Sequence, residues 1–374
     1  MNDRSPAAPG QVVLVLQGGG ALGAYQAGVY EALHEAAIEP DWVIGTSIGA
    51  VNGAIITGNL PADRLPRLRK FWESVESDSP LQQQYWPGIG HMYANWSAMV
   101  QGIPAMYRPR PLGWGGVNAQ VGVDNASYYL TEPLRETLTP LVDFHVVNAK
   151  DTTRLTIGAV NVVKGAMRYF DSRDEQHGLS LDHVMASSAL PPAFPAVRIQ
   201  GEAYWDGGLY SNTPMEVVFD DNPRRDSLMF AVNVWQPVGP EPGSIWQVAG
   251  RQKDIQYASR DDSHIKRQKQ IHKLRRIIRE LSSHVGAAER EHAHVRKLDS
   301  YGCNTTMHVV RLLAPTLDRE DFFKDIDFSA AGIRCRWQAG LDDTRRMIAA
   351  APWRQPADPM EGIVVHELSA RTGG

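Results

Sequence analysis

Val13-Leu14-Val15-Leu16-Gln17-Gly18-Gly19-Gly20-Ala21-Leu22-Gly23 opens the part of the chain that decides its fold, and Trp42-Val43-Ile44-Gly45-Thr46-Ser47-Ile48-Gly49 completes it. Each is a short apolar run, then a glycine turn, then a helix-like stretch. Residues 23–37 place Ala27, Tyr30, Ala32 and Leu33 at helical spacing and stop before Pro40, and residues 47–57 are rich in Ala, Val and Ile. Uninterrupted apolar runs of this length read as strands buried on both faces. The stretch is therefore βαβα, its strands parallel and its crossover right-handed. Two neighbouring strands then set an anion-holding loop beside a serine, which is half of an acyl-transfer site.

Composition bounds what surrounds this unit. At 374 residues, 43% hydrophobic and 21% charged, the chain can build one large or two medium domains with a substantial core. A formal charge of -4 gives no whole-chain attraction for nucleic acid. Cys303 and Cys335 are too few for a disulfide framework and lack ligand-type neighbours, so reduced thiols and no metal are expected. The apolar run at 12–16 is far shorter than a signal-peptide core, and no stretch approaches the ~18 apolar residues of a membrane span. A cytoplasmic protein is expected, with peripheral membrane contact left open.

A solvated tail over 1–10 precedes the βαβα unit, and a helix of mixed charge over 61–74 follows it. Residues 85–123 then change character: Tyr85, Trp86, Met92, Tyr93, Trp96, Met106, Tyr107 and Trp114 sit among Gly and Pro with little charge. Such a segment reads either as an irregular layer over the core or as a wall or lid for an apolar ligand. A helix is expected over 131–137 and strands over 144–147, 155–163, 167–170 and 228–235. Pro237-Val238-Gly239-Pro240-Glu241-Pro242-Gly243 is the strongest linker signal. It divides a catalytic region over 11–236 from a mostly helical extension over 237–374.

Within the extension, 254–298 reads as long helix broken near Gly286, with Ile271, Leu274, Ile278, Leu281 and Val285 forming one narrow apolar stripe. Lys266, Arg267, Lys269, Lys273, Arg275, Arg276 and Arg279 surround it without an acid among them. The expected arrangement is a packed stripe beneath a solvated basic face. A membrane-surface helix around 265–281, or a partner helix, would use the same pattern. A strand over 307–313 and a helix over 329–351 close the chain.

The glycine loop also satisfies the dinucleotide fingerprint, G-x-G-x-x-G between a strand and a helix. In that fold an acid ends the second strand, whereas here Asp41 precedes Trp42-Val43-Ile44 and Gly45-Thr46-Ser47 follows it. That order argues against a nucleotide. In Gly45-Thr46-Ser47-Ile48-Gly49 the glycines let a strand turn sharply into a helix and thrust the serine hydroxyl into the cleft, with the helix dipole beside it. A structural N-cap is the other reading of Ser47. The hydroxyl needs a base. His308 and His366 are the histidines late enough for a Ser-Asp-His order, but neither lies in a glycine-bounded turn. Asp206, in Tyr204-Trp205-Asp206-Gly207-Gly208, lies at a sharp turn where paired glycines admit another backbone; an Asx-turn or helix cap is its structural alternative.

With Gly18-Gly19-Gly20, Gly45-Thr46-Ser47-Ile48-Gly49 and Asp206-Gly207-Gly208 in this order, the chain resembles the patatin-like phospholipase family. Ala186-Ser187-Ser188-Ala189-Leu190-Pro191 with Phe194-Pro195 is similar to its proline-containing block, so the resemblance covers about 12–235. It implies a three-layer α/β/α core with a mainly parallel sheet, and a Ser47–Asp206 dyad acting on lipid acyl esters through an acyl-enzyme. The oxyanion would be held by amides around Gly18, Gly19 and Gly20, and neither metal nor organic cofactor is required. A Ser-Asp-His esterase, an acyltransferase and a non-catalytic membrane-associated module are the competing readings. Many members carry Arg or Lys in the glycine loop where this chain has Leu22, which removes a positive charge from the loop.

Overall fold

The computed structural model describes residues 9–77, 102–111, 116–174, 176–258, 261–317 and 322–367. Tyr85, Trp86, Met92, Tyr93, Trp96 and Trp114 lie outside them. The chain runs β1 (Gln11–Leu16), α1 (Ala24–Glu35), β2 (Trp42–Gly45), α2 (Ile48–Thr57) and α3 (Pro61–Ser74). Next come β3 (Arg108–Pro109), β4 (Tyr129–Leu130), α4 (Glu132–Leu138), α5 (Phe144–Val147), β5 (Arg154–Asn161), β6 (Ala166–Asp171) and α6 (Leu181–Ser187). They are followed by β7 (Val197–Ile199), β8 (Glu202–Asp206), α7 (Glu216–Phe219) and β9 (Ser227–Asn233). The last part holds α8 (Ile245–Ala258), α9 (Asp261–Ser283), α10 (Ala287–Arg290), α11 (Ala293–Asp299), β10 (Met307–Leu313), α12 (Ala330–Ala350) and β11 (Ile363–Glu367).

One sheet runs in the order β11-β10-β9-β1-β2-β5-β8-β7, with β6 on the other edge of β5. The strands from β11 to β5 are mutually parallel, while β6, β7 and β8 join antiparallel. Alternation along β1 shows why both faces must be covered. Val12, Leu14 and Leu16 enter one core cluster with α1, α2, α3 and α12, whereas Val13 and Val15 enter another with α7 and α9. The result is the expected α/β/α sandwich.

Strand β5 positions the site. Its edge pairs with β2 up to Gly45 opposite Ile157, and β8 then takes over, running the other way, with Asp206 opposite Ala159. The carboxyl ends of β2 and β8 thus abut along a single strand. The turn leaving β2 meets the turn leaving β8.

The linker does not separate the sheet. Both β10 and β11 extend it beyond β9, and α12 lies on α1, where Tyr25 Oη donates to Asp343 at 3.1 Å, Trp337 Nε1 donates to Glu31, and Arg345 pairs with Glu35 at 2.7 Å. The region after residue 237 therefore supplies the last two strands on one side of the sheet, β10 and the edge strand β11, as well as helices.

Two expectations are corrected. Residues 144–147 form a helical turn, not a strand, because the Asp143 carboxylate accepts the His145 amide and caps it. A four-residue apolar run has no period to tell the two apart. In the extension, the break near Gly286 is present, but the packed face of α9 is Ile265, Gln268 and His272, while Leu274 and Leu281 are 60% and 62% exposed. The helix is rotated by about a third of a turn from the expected packing, which leaves Ile271 and Ile278 half-buried. Arg276 is not a solvated base; its guanidinium donates to Thr305 O at 3.1 Å and to Thr306 Oγ1 at 2.6 Å.

Candidate active site

The G-x-S-x-G turn is built as its residue types demand. Ser47 has φ 55° and ψ -124°, a left-handed conformation that costs a non-glycine residue energy. The flanking glycines make room for it: a Cβ on Gly45 would lie 2.3 Å from Gly49 O, and one on Gly49 would lie 2.2 Å from Leu16 O. Ser187, fully buried, holds the turn from behind, accepting the Ser47 amide at 2.9 Å while donating to Gly158 O at 2.7 Å. Although Ser47 precedes α2, its hydroxyl does not cap that helix. Ser47 and Asp206 instead line one cavity, where the hydroxyl pulls the Asp206 carboxyl down.

Asp206 is 3% exposed and, among the described residues, has no cationic partner. Burial lifts its carboxyl to about 7, against hydrogen bonds from the Ser47 hydroxyl and the Gly208 amide that pull it down. The Gly208 bond is 2.7 Å, so Asp206 does form the turn cap that was its structural alternative, through one oxygen. The two readings are compatible because a carboxylate has lone pairs for both.

The glycine loop lies on the other side of Ser47. Gly18 N donates to Asn212 O at 3.2 Å, and Gly18 O accepts from Trp235 Nε1 at 2.7 Å and Asn212 Nδ2 at 3.1 Å. Ala21 N donates to Asp325 O at 2.8 Å and Leu22 N to Gly19 O at 3.1 Å. Among the described residues, the Gly19 and Gly20 amides have no protein acceptor. Gln17, fully buried, anchors the base of the loop: its amide donates to Thr213 Oγ1 at 2.7 Å, and its carbonyl accepts from Val234 N at 2.6 Å.

Ser47, Asp206, Gly208 and Gly18 to Gly20 line a cavity of about 290 Å³ whose walls are mainly apolar. Met106 and Tyr107, from the aromatic-rich segment, form part of it, as do Tyr129 and Phe194. A further share comes from the extension, through Lys253, Tyr257, Phe322, Phe323, Asp325 and Phe328. These were missed in the sequence. Lys253 is one base in a basic region, and Phe322 to Phe328 lie in an irregular loop with no motif. Leu22 is buried and faces away, into a small void beside Tyr25 and Val234.

His308 and His366 stack 2.9 Å apart, ring nitrogen to ring nitrogen, on the neighbouring strands β10 and β11. His308 is opposite Leu228, which is itself opposite Val12, so the pair lies toward the amino end of the sheet while Ser47 leaves the carboxyl end. Neither histidine is a neighbour of Ser47.

A family model described as patatin-like phospholipase matches residues 14–219, and one described as patatin phospholipase matches residues 255–360. The chain belongs to the patatin-like phospholipase family. The first match spans the glycine loop, Ser47 and Asp206, and the second spans most of the extension. A lysophospholipase, nte1, of Aspergillus terreus is 52% identical over 63 residues, which is 16% of this chain and 4% of that protein. The chain thus matches only a small part of that relative's length. Among solved structures, VipD from Legionella pneumophila is 16% identical with a TM-score of 0.39, the alignment covering 93% of this chain and 68% of VipD. The type III effector ExoU is 12% identical with a TM-score of 0.23, over 94% of this chain and 77% of ExoU. Among the described residues, no helix is long and apolar enough to cross a membrane.

Proposed function

We propose that this protein is a serine hydrolase of lipid acyl esters that works through a Ser47–Asp206 dyad. The observation that carries the reading is Ser47, in a strained strand-to-helix turn, sharing the wall of an apolar cavity with the buried Asp206, which among the described residues has no cationic partner. An aspartate of ordinary pKa, ~3.9, is a poor base for a hydroxyl. Desolvation makes Asp206 a stronger one, at about 7.

In the proposed reaction, Ser47 Oγ attacks the ester carbonyl as its proton passes to Asp206. Negative charge develops on the former carbonyl oxygen, where the Gly19 and Gly20 amides are the donors. Gly18 is removed from the expected set because its amide serves Asn212. The amino end of α2 adds its dipole at the same place. Asp206 returns the proton to the departing alcohol, leaving an acyl-enzyme. It then takes a proton from water, whose attack releases the fatty acid and restores Ser47. The chain's own residues suffice for each proton transfer.

The test is an intact-mass search for an acyl adduct after incubation with a mixed lipid extract. An adduct mapping to Ser47, absent from Ser47→Ala, is expected. Equal labelling of Ser47→Ala, by lipid or fluorophosphonate, would sink the proposal. Membrane contact through 265–281 belongs to it as well, and the exposed Leu274 and Leu281 beside Lys266, Arg267 and Lys273 favour it. Loss of vesicle binding by Leu274→Asp/Leu281→Asp would support that contact.

A further inference from the structure

The glycine loop is braced by the extension. Gly20 has φ +55° and packs on the backbone of Asp325, so closely that a Cβ on Gly20 would lie 2.2 Å from Asp325 O. That carbonyl accepts the Ala21 amide at 2.8 Å. The direction of the peptides on either side of Gly20 therefore depends on where Asp325 sits. Asp325 belongs to no helix or strand, so regular backbone pairing does not fix it.

Side chains fix it instead. Lys253 on α8 reaches both oxygens of Asp325, at 2.8 and 3.0 Å, and donates to Phe322 O at 3.1 Å. The residue after Lys253 and the residue before Asp325 pair in the reverse sense, Asp254 with Lys324 at 2.7 Å. Lys324 and Asp254 are 7% and 13% exposed at their side chains, so this second pair is well shielded from water and salt. Asp254 also accepts the Gln236 amide at 3.2 Å, next to Trp235, whose indole holds Gly18 O. Two crossed ion pairs thus tie α8, the 322–325 loop and the end of β9 together, and touch the glycine loop at Gly18 and at Ala21.

We infer that the Lys253–Asp325 and Asp254–Lys324 pairs form a clasp that positions the glycine loop for oxyanion binding. This gives the extension a role in catalysis: it sets the aim of the Gly19 and Gly20 amides. The inference rests on the hydrolase reading given above. The four side chains are positioning residues, acting through the loop and not on the ester. A clasp of this kind affects the transition state more than ground-state binding, because the oxyanion exists only in the former.

The test uses the full chain and a soluble ester, p-nitrophenyl butyrate. Lys253→Met and Asp325→Asn should lower kcat by about 10- to 100-fold, with KM changed less than about twofold. Affinity for a trifluoromethyl ketone, which forms an oxyanion on the serine, should fall by the same factor as kcat. Lys253→Arg, which keeps the charge and a bidentate reach, should recover most of the loss. If Asp325→Asn fails to fold, Lys253→Met and Lys253→Arg decide the matter, since Lys253 is on the better-exposed side of the pair. Folded variants with wild-type kcat would overturn the clasp. So would a loss confined to melting temperature, or one carried by KM alone. Wild-type protein that turns over no ester and takes no label at Ser47 would overturn the hydrolase reading and the clasp with it. Normal turnover with indifferent clasp variants would overturn the clasp alone.

Discussion

The two ends of the sheet make opposite use of burial. At the amino end, a depression of about 580 Å³, twice the size of the Ser47 cavity, is lined by charged groups that satisfy one another. Arg64, 5% exposed, donates to Glu39 at 2.6 Å, Thr153 Oγ1 at 3.0 Å and Asn59 O at 3.2 Å, and His34 and Tyr30 also bond to Glu39. At the carboxyl end one carboxylate is buried beside a serine in a strained conformation, and among the described residues it has no cation and two neighbouring amides have no acceptor. The larger and more polar depression is a structural brace. Chemistry is expected where pairing is incomplete, because a group already neutralised has little left to offer a transition state.

The sharpest way to break this contrast is at the proposed dyad. Ser47→Ala and Asp206→Asn should each lower kcat/KM by about 10⁴-fold or more, read with a soluble ester, while circular dichroism is unchanged. In the wild type, kcat/KM should rise with pH as Asp206 ionises, with an apparent pKa near the value of about 7 that burial gives it.

Asp206 should also reveal itself in stability. Its folded value is raised above the unfolded one, so between roughly pH 4 and 7 the folded protein holds a proton that the unfolded chain has released. Stability from this group is complete below the unfolded value and is lost as pH rises through about 7, a swing on the order of 4 kcal/mol. Asp206→Asn should therefore melt several degrees above wild type at pH 8, and the gap should close toward pH 4. A mutation that abolishes activity while stabilising the fold would distinguish this end from the other.

Smaller effects follow. Ser187→Ala should lower kcat by about 10-fold with KM little changed, since it removes the hydroxyl bridge behind the Ser47 turn. At the amino end Arg64→Met should do the reverse, costing about 1 to 3 kcal/mol of stability in urea unfolding with kcat/KM near normal. His308→Ala and His366→Ala should have the least effect on kcat/KM, remaining within about twofold of wild type. Burial and the neighbouring ring hold His366 at about 4, and burial pushes His308 below the usual imidazole value.

Legibility in the sequence tracked steric demand. Gly45 and Gly49 could be read because no other residue fits so near Gly49 O and Leu16 O, and the apolar runs of β1, β2 and β9 because both their faces are covered. Three kinds of information were absent. Four residues at 144–147 were too few to show a period, and the Asp143 cap that decides them is a local hydrogen bond. The α9 stripe revealed an amphipathic helix but not which side the protein would cover, and His272, polar by type, took the inside. Lys253 and Asp325 lie 72 positions apart with no motif around either, so their pairing belongs wholly to tertiary structure.

The proposed nucleophile and base share one ruler. Gly45 and Asp206 are registered against Ile157 and Ala159 of the same strand, so their separation is set by two residues of β5 and not by the long chain between them. That chain is then free to be cut or rearranged. The exposed turn after β5, where Val163 is 90% exposed and Gly165 has φ +60°, is the natural place to open a circular permutant. Such a protein would begin and end at that turn, and Ser47 and Asp206 should still meet.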